Sequence, residues 1–492
     1  MINFSHRKSY KASLIALMIV LLFSVSRVQQ VLNHDREKLG LTKLPPLENA
    51  PPLLAFTTVA LGGFRGLIAN ALWIRASELQ EDDKFFEMVQ LSDWITKLEP
   101  RFVQVWMMQA WNMAYNISVK FNSAEDRWRW VERGIELLRD EALRYNPDET
   151  LIYRELSWFF QHKMGQNLDD AHLYYKNQWF NEMTAVLGKK PNYEALLDPQ
   201  TEEEKQSIKL LREKYKMDPQ IMKEIDERYG PLEWRLPDAH AIYWADVGRR
   251  RGKKEDQERL QRSIYQTMQQ SFRRGAVYES IAGGFTFGPN LDSIANVNAS
   301  YEELIKGEDP KHQDQPISGH KNFLKDAVYF LYMYNRQVEA QKWFQYLKEQ
   351  YPAGIPEYVA AQIAKQPELN FSTNPSLDEY AVLRVTEDVG ETDVDRITAL
   401  VQALLENSFT SLVQDEDDRA VNYSNMARQV HARFQKETEG AHQRVGLPPL
   451  ATFRERVLQK LLDPEIGLPP EAAARLRTKL GPSEQETTQA AP

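Results

Sequence analysis

The chain has 492 residues, with 61 Lys and Arg against 70 Asp and Glu, a formal charge of -9, 11 Trp and no Cys. Without Cys there are no disulfides, thiolate zinc sites, iron–sulfur clusters or Cys nucleophile, and the mild acidity argues against a nucleic-acid binder, which needs a basic face. Length implies two to four domains or one long repeat array, and a mean hydropathy of -0.56 excludes a polytopic membrane protein while leaving room for a single anchor.

Residues 1–34 contain no acid. His6, Arg7, Lys8 and Lys11 precede an apolar run over 12–25, centred on Leu14-Ile15-Ala16-Leu17-Met18-Ile19-Val20-Leu21-Leu22-Phe23. A basic flank before an apolar run is the arrangement of a signal sequence or signal anchor. The run is short for a span, which takes about 17–25 residues. Tyr10 and Arg27 stand where interfacial residues would help. Ser24-Val25-Ser26 offers small residues at which a signal peptidase would cut. Two readings stand: an uncleaved anchor using residues 12–26, within a basic tip and anchor over 1–28, or a cleaved signal peptide. Both leave the basic end in the cytoplasm and the bulk outside, by the positive-inside rule. In a bacterium that is a single-pass inner-membrane protein with a periplasmic body, or a protein released to the periplasm.

A linker over 29–52 follows and ends in Leu44-Pro45-Pro46-Leu47-Glu48-Asn49-Ala50-Pro51-Pro52, a semi-rigid extended spacer. A second apolar stretch, 53–74, contains Gly62-Gly63, Arg65 and Asn70. It reads as a helix opening the globular region, since polar residues inside a span are costly.

From there apolar spacing of three and four dominates, the mark of helices. Leu324, Ala327, Val328 and Leu331 are followed by Ala340, Phe344, Leu347 and Pro352. This resembles the tetratricopeptide repeat (TPR) pattern, in which small residues let two antiparallel helices touch and a proline ends the second. Residues 69–100 resemble it less closely: Leu72, Ala76 and Leu79, then Phe85, Met88, Ser92, Ile95 and Leu98, closed by Pro100. Met88 and Ser92 depart from the family pattern. Residues 103–147 continue with Trp106, Ala110 and Met113, then a helix start at Ser123 and Asp126, then Trp128, Val131, Ile135, Leu138 and Ala142. Residues 150–180 add Tyr153, Leu156, Ser157, Phe160, Ala171, Tyr175 and Trp179. The resemblance implies an all-α, TPR-like helical-hairpin solenoid with an N-terminal membrane anchor. Each hairpin buries its apolar face only by stacking on a neighbour.

The expected organisation is hairpins over 53–183, a hairpin with insertions and an irregular loop over 184–320, a further hairpin over 321–353, a C-terminal helical region over 354–480 and a disordered tail over 481–492. Within it, Thr201 to Glu204 reads as a capping box, and Asp218-Pro219 as a second helix start. A hairpin is expected over 238–275. Residues 276–320 look irregular, Tyr380-Ala381-Val382-Leu383 reads as a short strand, and four helices follow at about 393–407, 416–438, 449–462 and 469–480.

Catalytic motifs are missing: no HExxH, phosphate-binding glycine loop, GxSxG elbow or dinucleotide fingerprint occurs. Asp169, Asp170 and His172 are a candidate metal cluster, and Asp238, His240 and Asp246 a second. Each is balanced by a plain reading as a helix start or as hydrogen-bonded core. Glu233 and Asp238, flanking Trp234, would suit sugar chemistry if placed about 5–10 Å apart. Trp128 and Trp130, two apart, point in different directions on a helix, so an exposed Trp beside Arg127 and Arg129 would suit a peptide carboxylate, an anionic glycan or a partner helix. In TPR proteins the first helix of each hairpin lines a concave groove. By that resemblance Trp111, Asn112 and Asn116 would face a ligand, the two amides bonding its backbone or else buried carbonyls. The implied function is a non-enzymatic, membrane-tethered scaffold or assembly factor. It takes an envelope protein partner, no nucleic acid and no cofactor or metal. A glycan-binding or glycan-processing helical protein is the alternative.

Overall fold

The computed structural model describes most residues between 16 and 38, then residues 64–252, 254–279, 285–334, 336–365, 374–388, 394–437, 447–464 and 466–480. The chain divides into two compact units, Met1–Ala71 and Leu72–Pro492. In the first, the described residues between 16 and 38 are helical and exposed, Leu17, Leu21 and Phe23 among them. Among the described residues no helix is long and apolar enough to cross a membrane. The expected anchor over 12–26 falls partly outside the described residues. Most of the linker over 29–52 also falls outside them, as do 53–63 and the tail over 481–492.

Among its described residues the second unit is all-α but for one hairpin. Helix α1 (Phe64–Glu81) is followed in sequence by α2 (Phe85–Leu98), which buries Phe85, Met88, Ser92 and Ile95, the stripe read from the sequence. Helix α3 (Val103–Trp111) continues through a π turn, Asn112–Ile117, into a 3-10 turn, Ser118–Lys120. Helix α4 (Ala124–Glu136) starts at the expected cap, where the Asp126 N–H donates to Ser123 Oγ, and runs through a π turn, Leu137–Ala142. Helix α5 (Thr150–Trp158) ends in a third π turn, Phe159–Met164. A π turn bonds i→i+5 and takes in an extra residue, a device found often at functional sites.

Next come α6 (His172–Leu187), α7 (Tyr193–Leu197), α8 (Glu202–Glu213) and α9 (Pro219–Tyr229). The box at α8 is complete: Glu204 N–H donates to Thr201 Oγ1 at 3.2 Å, and Thr201 N–H donates to the Glu204 carboxylate at 2.9 Å. Asp218 caps α9 by accepting from Gln220 N–H at 2.8 Å. Helix α10 (Pro237–Arg251) is the central element, buried without a break from Pro237 to Gly248, with α5 and α11 (Lys254–Arg274) packed against it. Gly248 explains how closely α5 approaches: a Cβ there would lie 2.5 Å from Tyr153 Cβ.

Residues 276–320 are more regular than expected. Strands β1 (Ala276–Glu279) and β2 (Phe285–Gly288) pair antiparallel with Val277 opposite Phe287. Helix α12 (Ile294–Gly307) follows, buried along Ile294, Val297 and Tyr301. The polar run after it holds a 3-10 turn, Pro310–His312, capped by Asp309, and the start of α13 (Asp314–Met333). Helix α13 and α14 (Gln337–Gln350) form the hairpin read at 324–352, with Leu324, Ala327, Val328 and Leu331 buried with Ala340, Phe344 and Leu347.

After α15 (Gly354–Lys365), the stretch expected as a strand at Tyr380 is instead α16 (Leu377–Asp388). The reason is local. Ser376 N–H donates to the Glu379 carboxylate at 2.7 Å and Glu379 N–H to Ser376 Oγ at 3.2 Å, a capping box that commits the following residues to helix. The C-terminal four are α17 (Val394–Val413), α18 (Asp417–Glu437), α19 (Leu450–Leu462) and α20 (Pro470–Leu480), close to their expected positions. The β-hairpin packs on α17 and α19. One cluster of buried side chains runs from Val103 to Leu476, so the unit shares a continuous core.

Candidate functional site

The acid and histidine clusters read from the sequence are consumed by internal pairing. Asp169 is buried and accepts from Lys163 Nζ at 2.5 Å, Ala171 N–H at 2.8 Å, Arg127 at 3.0 Å and the Tyr175 hydroxyl at 3.2 Å. Burial alone would raise its pKa. Lys163, the Ala171 amide and Arg127 outweigh that and hold it below the usual carboxylate range. The Lys163 amine is pushed down, because its burial exceeds what Asp169 restores. His172 Nδ1 lies 2.8 Å from Lys176 Nζ, and burial with that neighbour lowers His172 to about 3.

Asp238, His240 and Asp246 share α10 and go to three separate sets of partners. Asp238 takes two bonds from Arg274, at 2.9 Å each, with both side chains buried. His240 donates Nε2–H to the Trp234 carbonyl at 2.8 Å. Asp246 accepts from Arg249 at 2.7 Å and Arg250 at 2.5 Å. Glu233 is held by Arg235 at 2.8 Å, so neither acid flanking Trp234 has a free carboxylate for sugar chemistry. Among the described residues no group of three or more His, Asp or Glu is placed to hold a metal.

The expected groove residues separate as well. Asn112 is buried and donates to the Phe85 carbonyl at 3.0 Å, and Asn116 donates to Asn112 Oδ1 at 3.3 Å. Asn112 thus satisfies a buried carbonyl, and Asn116 bonds the Asn112 side chain. Trp128 is buried and lies 5.9 Å from the Tyr175 ring, so it has no face for a ligand. Arg127 belongs to the Asp169 network. Arg129 is exposed and pairs with Glu125 at 2.6 Å and Asp126 at 3.0 Å along its own helix. Trp111 alone of the six turns a large open ring to solvent, at 39% exposure.

Trp111 belongs to a four-ring cluster. It stacks on Tyr115 with centroids 4.0 Å apart and planes 16° from parallel. On α5, Trp158 (37% exposed) stacks on His162 at 4.4 Å and 12°. The two pairs are the same i,i+4 arrangement on neighbouring helices, and their inner members, 47 positions apart, meet where the Tyr115 hydroxyl lies 3.2 Å from His162 Nδ1. In an α-helix residues i and i+4 are about 40° apart around the axis. The extra residue in each π turn brings them closer to one line, where flat rings can stack. Trp111 and Trp158 immediately precede their π turns, and Tyr115 and His162 sit inside them.

Burial shifts the titratable members of the cluster. Tyr115 is pushed well above its ordinary value by burial first and then by Glu155, with Trp158 opposing. It therefore stays protonated, sharing a 3.2 Å hydrogen bond with His162 Nδ1. Burial and Lys163 lower His162. Lys163 Nζ lies 4.9 Å from the Tyr115 centroid and supports the cluster from within. Glu155 is half-buried and raised by burial, with Arg154 opposing. Tyr115, His162 and Glu155 were not singled out from the sequence, although the matching i,i+4 spacing of the two pairs was legible there.

Comparison of the chain with protein-family models, curated proteins and solved structures returns no match.

Proposed function

We propose that the chain is a membrane-tethered scaffold or assembly factor of the cell envelope that holds a partner protein on a TPR-like array of helices. The observation that carries this reading is the matched pair of open rings, Trp111 and Trp158, on the neighbouring helices α3 and α5. Tryptophans held rigid from behind and open in front are the usual anchors of protein interfaces. The rings are fixed by stacking and by the Tyr115–His162 hydrogen bond, so little freedom is lost on binding. The apolar run over 12–26 supports the tether, which raises the local concentration of membrane-bound partners. The basic residues before it support a cytoplasmic N-terminus and a periplasmic body. Binding is favoured over catalysis because the strongest acid and histidine clusters are already paired internally.

A glycan-binding role is the second reading, favoured by Glu155 beside the rings. Glycan processing is less well supported, since Glu233 and Asp238 are occupied by arginines.

The test uses the full chain in its native membranes, with a photo-crosslinking side chain in place of the exposed Arg154, one helical turn from Trp158. A discrete protein adduct that disappears in the W158A background supports the scaffold. Absence of any protein adduct, together with saturable oligosaccharide binding to the purified chain, overturns it. Removing residues 1–28 is expected to release a folded, helical protein from the membrane fraction. Retention in that fraction would put 53–74 in the bilayer as well.

A further inference from the structure

We infer that the N-terminal end of the second unit seats on the bilayer surface through an aromatic cluster at Phe86, Phe121 and Trp130, an inference that rests on the membrane-tethered reading above. The cluster joins three elements. Phe86 stands in the first turn of α2, Phe121 follows the 3-10 turn Ser118–Lys120, and Trp130 lies on α4. The Phe86 ring meets Trp130 edge-on at 5.8 Å and Phe121 edge-on at 6.4 Å, and Phe121 and Trp130 lie 6.3 Å apart. Phe85 is buried, and adjacent side chains on a helix point about 100° apart, which leaves Phe86 open at 55% exposure. Val119, two positions before Phe121, is 48% exposed. Trp130 is half-buried against the core, which holds the cluster from behind.

Two observations favour lipid over a protein as what covers these rings. The first is shape. The three rings contact one another, so no slot is left between them for the anchor side chain of a partner, which a protein hot spot requires. A fluid bilayer boundary needs no matching pocket, and Phe and Trp are among the side chains that favour it. The second is position. The chain enters this unit at Leu72, within α1 and after the apolar residues that begin at 53, so the tether joins the body at this end. Open apolar side chains gather here too. Ile74, Phe86, Trp94, Trp111 and Val119 are exposed between 72 and 121, against Val338, Val421 and Ile466 in all the described residues beyond 200. Charges beside the rings are mixed: Lys120 lies 5.5 Å from the Phe85 ring, Lys84 pairs with Asp82 at 3.2 Å, and Glu87 is exposed. The seat is therefore apolar burial, not attraction to anionic lipid. It is too small to hold the chain alone, and the tether supplies the local concentration.

The experiment uses the absence of native Cys. Full chains carrying one of F86C, V119C, V338C or V421C are labelled with an environment-sensitive dye. They are reconstituted in phosphatidylcholine vesicles with or without a nitroxide on the acyl chains. Flotation with the vesicles checks the tether, and far-UV circular dichroism identifies any variant that fails to fold. The labels at 86 and 119 are expected to shift to the blue and lose fluorescence to the nitroxide lipid, while those at 338 and 421 keep theirs. Adding F86E to V119C places a charge in the seat, and quenching at 119 should be lost although the chain still floats. A floating chain whose labels at 86 and 119 are quenched no more than the label at 338 overturns the proposal and leaves the tether standing. Disulfide-linked F86C dimers, formed before labelling, would reassign the face to a second copy of the chain. A label at 119 already shielded in detergent and unmoved by vesicles would show that protein covers the rings, and would equally overturn it. A chain that fails to float refutes the tether and this inference with it.

Discussion

Asp169→Asn removes a carboxylate that pairs with both Lys163 and Arg127 in the core. The asparagine keeps an acceptor for Ala171 N–H or Tyr175, but its amide hydrogens then approach cations. Lys163, whose side chain is 4% exposed, is left with the Ser118 hydroxyl at 3.3 Å, and Arg127 is 13% exposed. Breaking a buried pair from one side costs about 3–5 kcal/mol, because an uncompensated charge stays inside. Lys163→Met deletes the buried cation while Asp169 keeps Arg127, Tyr175 and the Ala171 amide, so it should cost less. In the double variant the stranded amine is absent, and the cost should fall short of the sum of the two by at least about 1 kcal/mol. The assay is urea unfolding followed by circular dichroism, with hydrogen exchange at amides of α5 and α6 to catch local loss. A D169N variant within about 0.5 kcal/mol of wild type, or strictly additive singles, would refute the reasoning.

Gly248→Ala should destabilise by about 1–3 kcal/mol, since the added methyl meets Tyr153 Cβ at 2.5 Å and overpacking outweighs the better helix propensity. A raised melting temperature would contradict the close approach of α5 and α10. Burial depresses His172 to about 3, His240 to about 4 and His320 to about 4, against an ordinary 6.5. Between these values the unfolded chain binds protons that the folded chain refuses, so this stability is complete above about pH 6.5 and lost as pH falls toward about 4. Each histidine accounts for about 2 kcal/mol by about pH 5, and a melting temperature unchanged from pH 7 to pH 5 would show that these rings are not buried as described. Ser376→Ala should cost about 1 kcal/mol and raise amide exchange in the first turn of α16. Unchanged exchange there would mean that tertiary packing, not the cap, makes this segment helical.

Much of the fold was legible because it is written in local spacing. The stripe Phe85, Met88, Ser92, Ile95 and the box Thr201–Glu204 need only neighbours three and four residues away, and both are where the sequence put them. The capping box at Ser376 was equally local, and overlooking it turned α16 into an expected strand. Helix α12 was missed in a region rich in glycine, asparagine and proline, although Ile294, Val297 and Tyr301 carry its stripe. The candidate site was less legible. Trp111 stood out, while its companions did not, since stacking depends on π turns that no residue type announces.

By itself the sequence determined that the chain is mostly helix, where most helices begin and end, and that an apolar run with a basic flank lies at its start. Periodicity and capping are properties of a few consecutive residues, so they survive without knowledge of the rest. The tertiary structure decided which polar groups are available. Asp169 and Asp238 look like free acids in sequence, and each is neutralised by an arginine that only folding brings within 3.0 Å, Arg127 and Arg274. Trp128 and Trp111 differ in the same way, one enclosed by α6 and the other left open. Exposure and pairing are set by residues distant in the chain, and here they moved the candidate site from the acids to the rings.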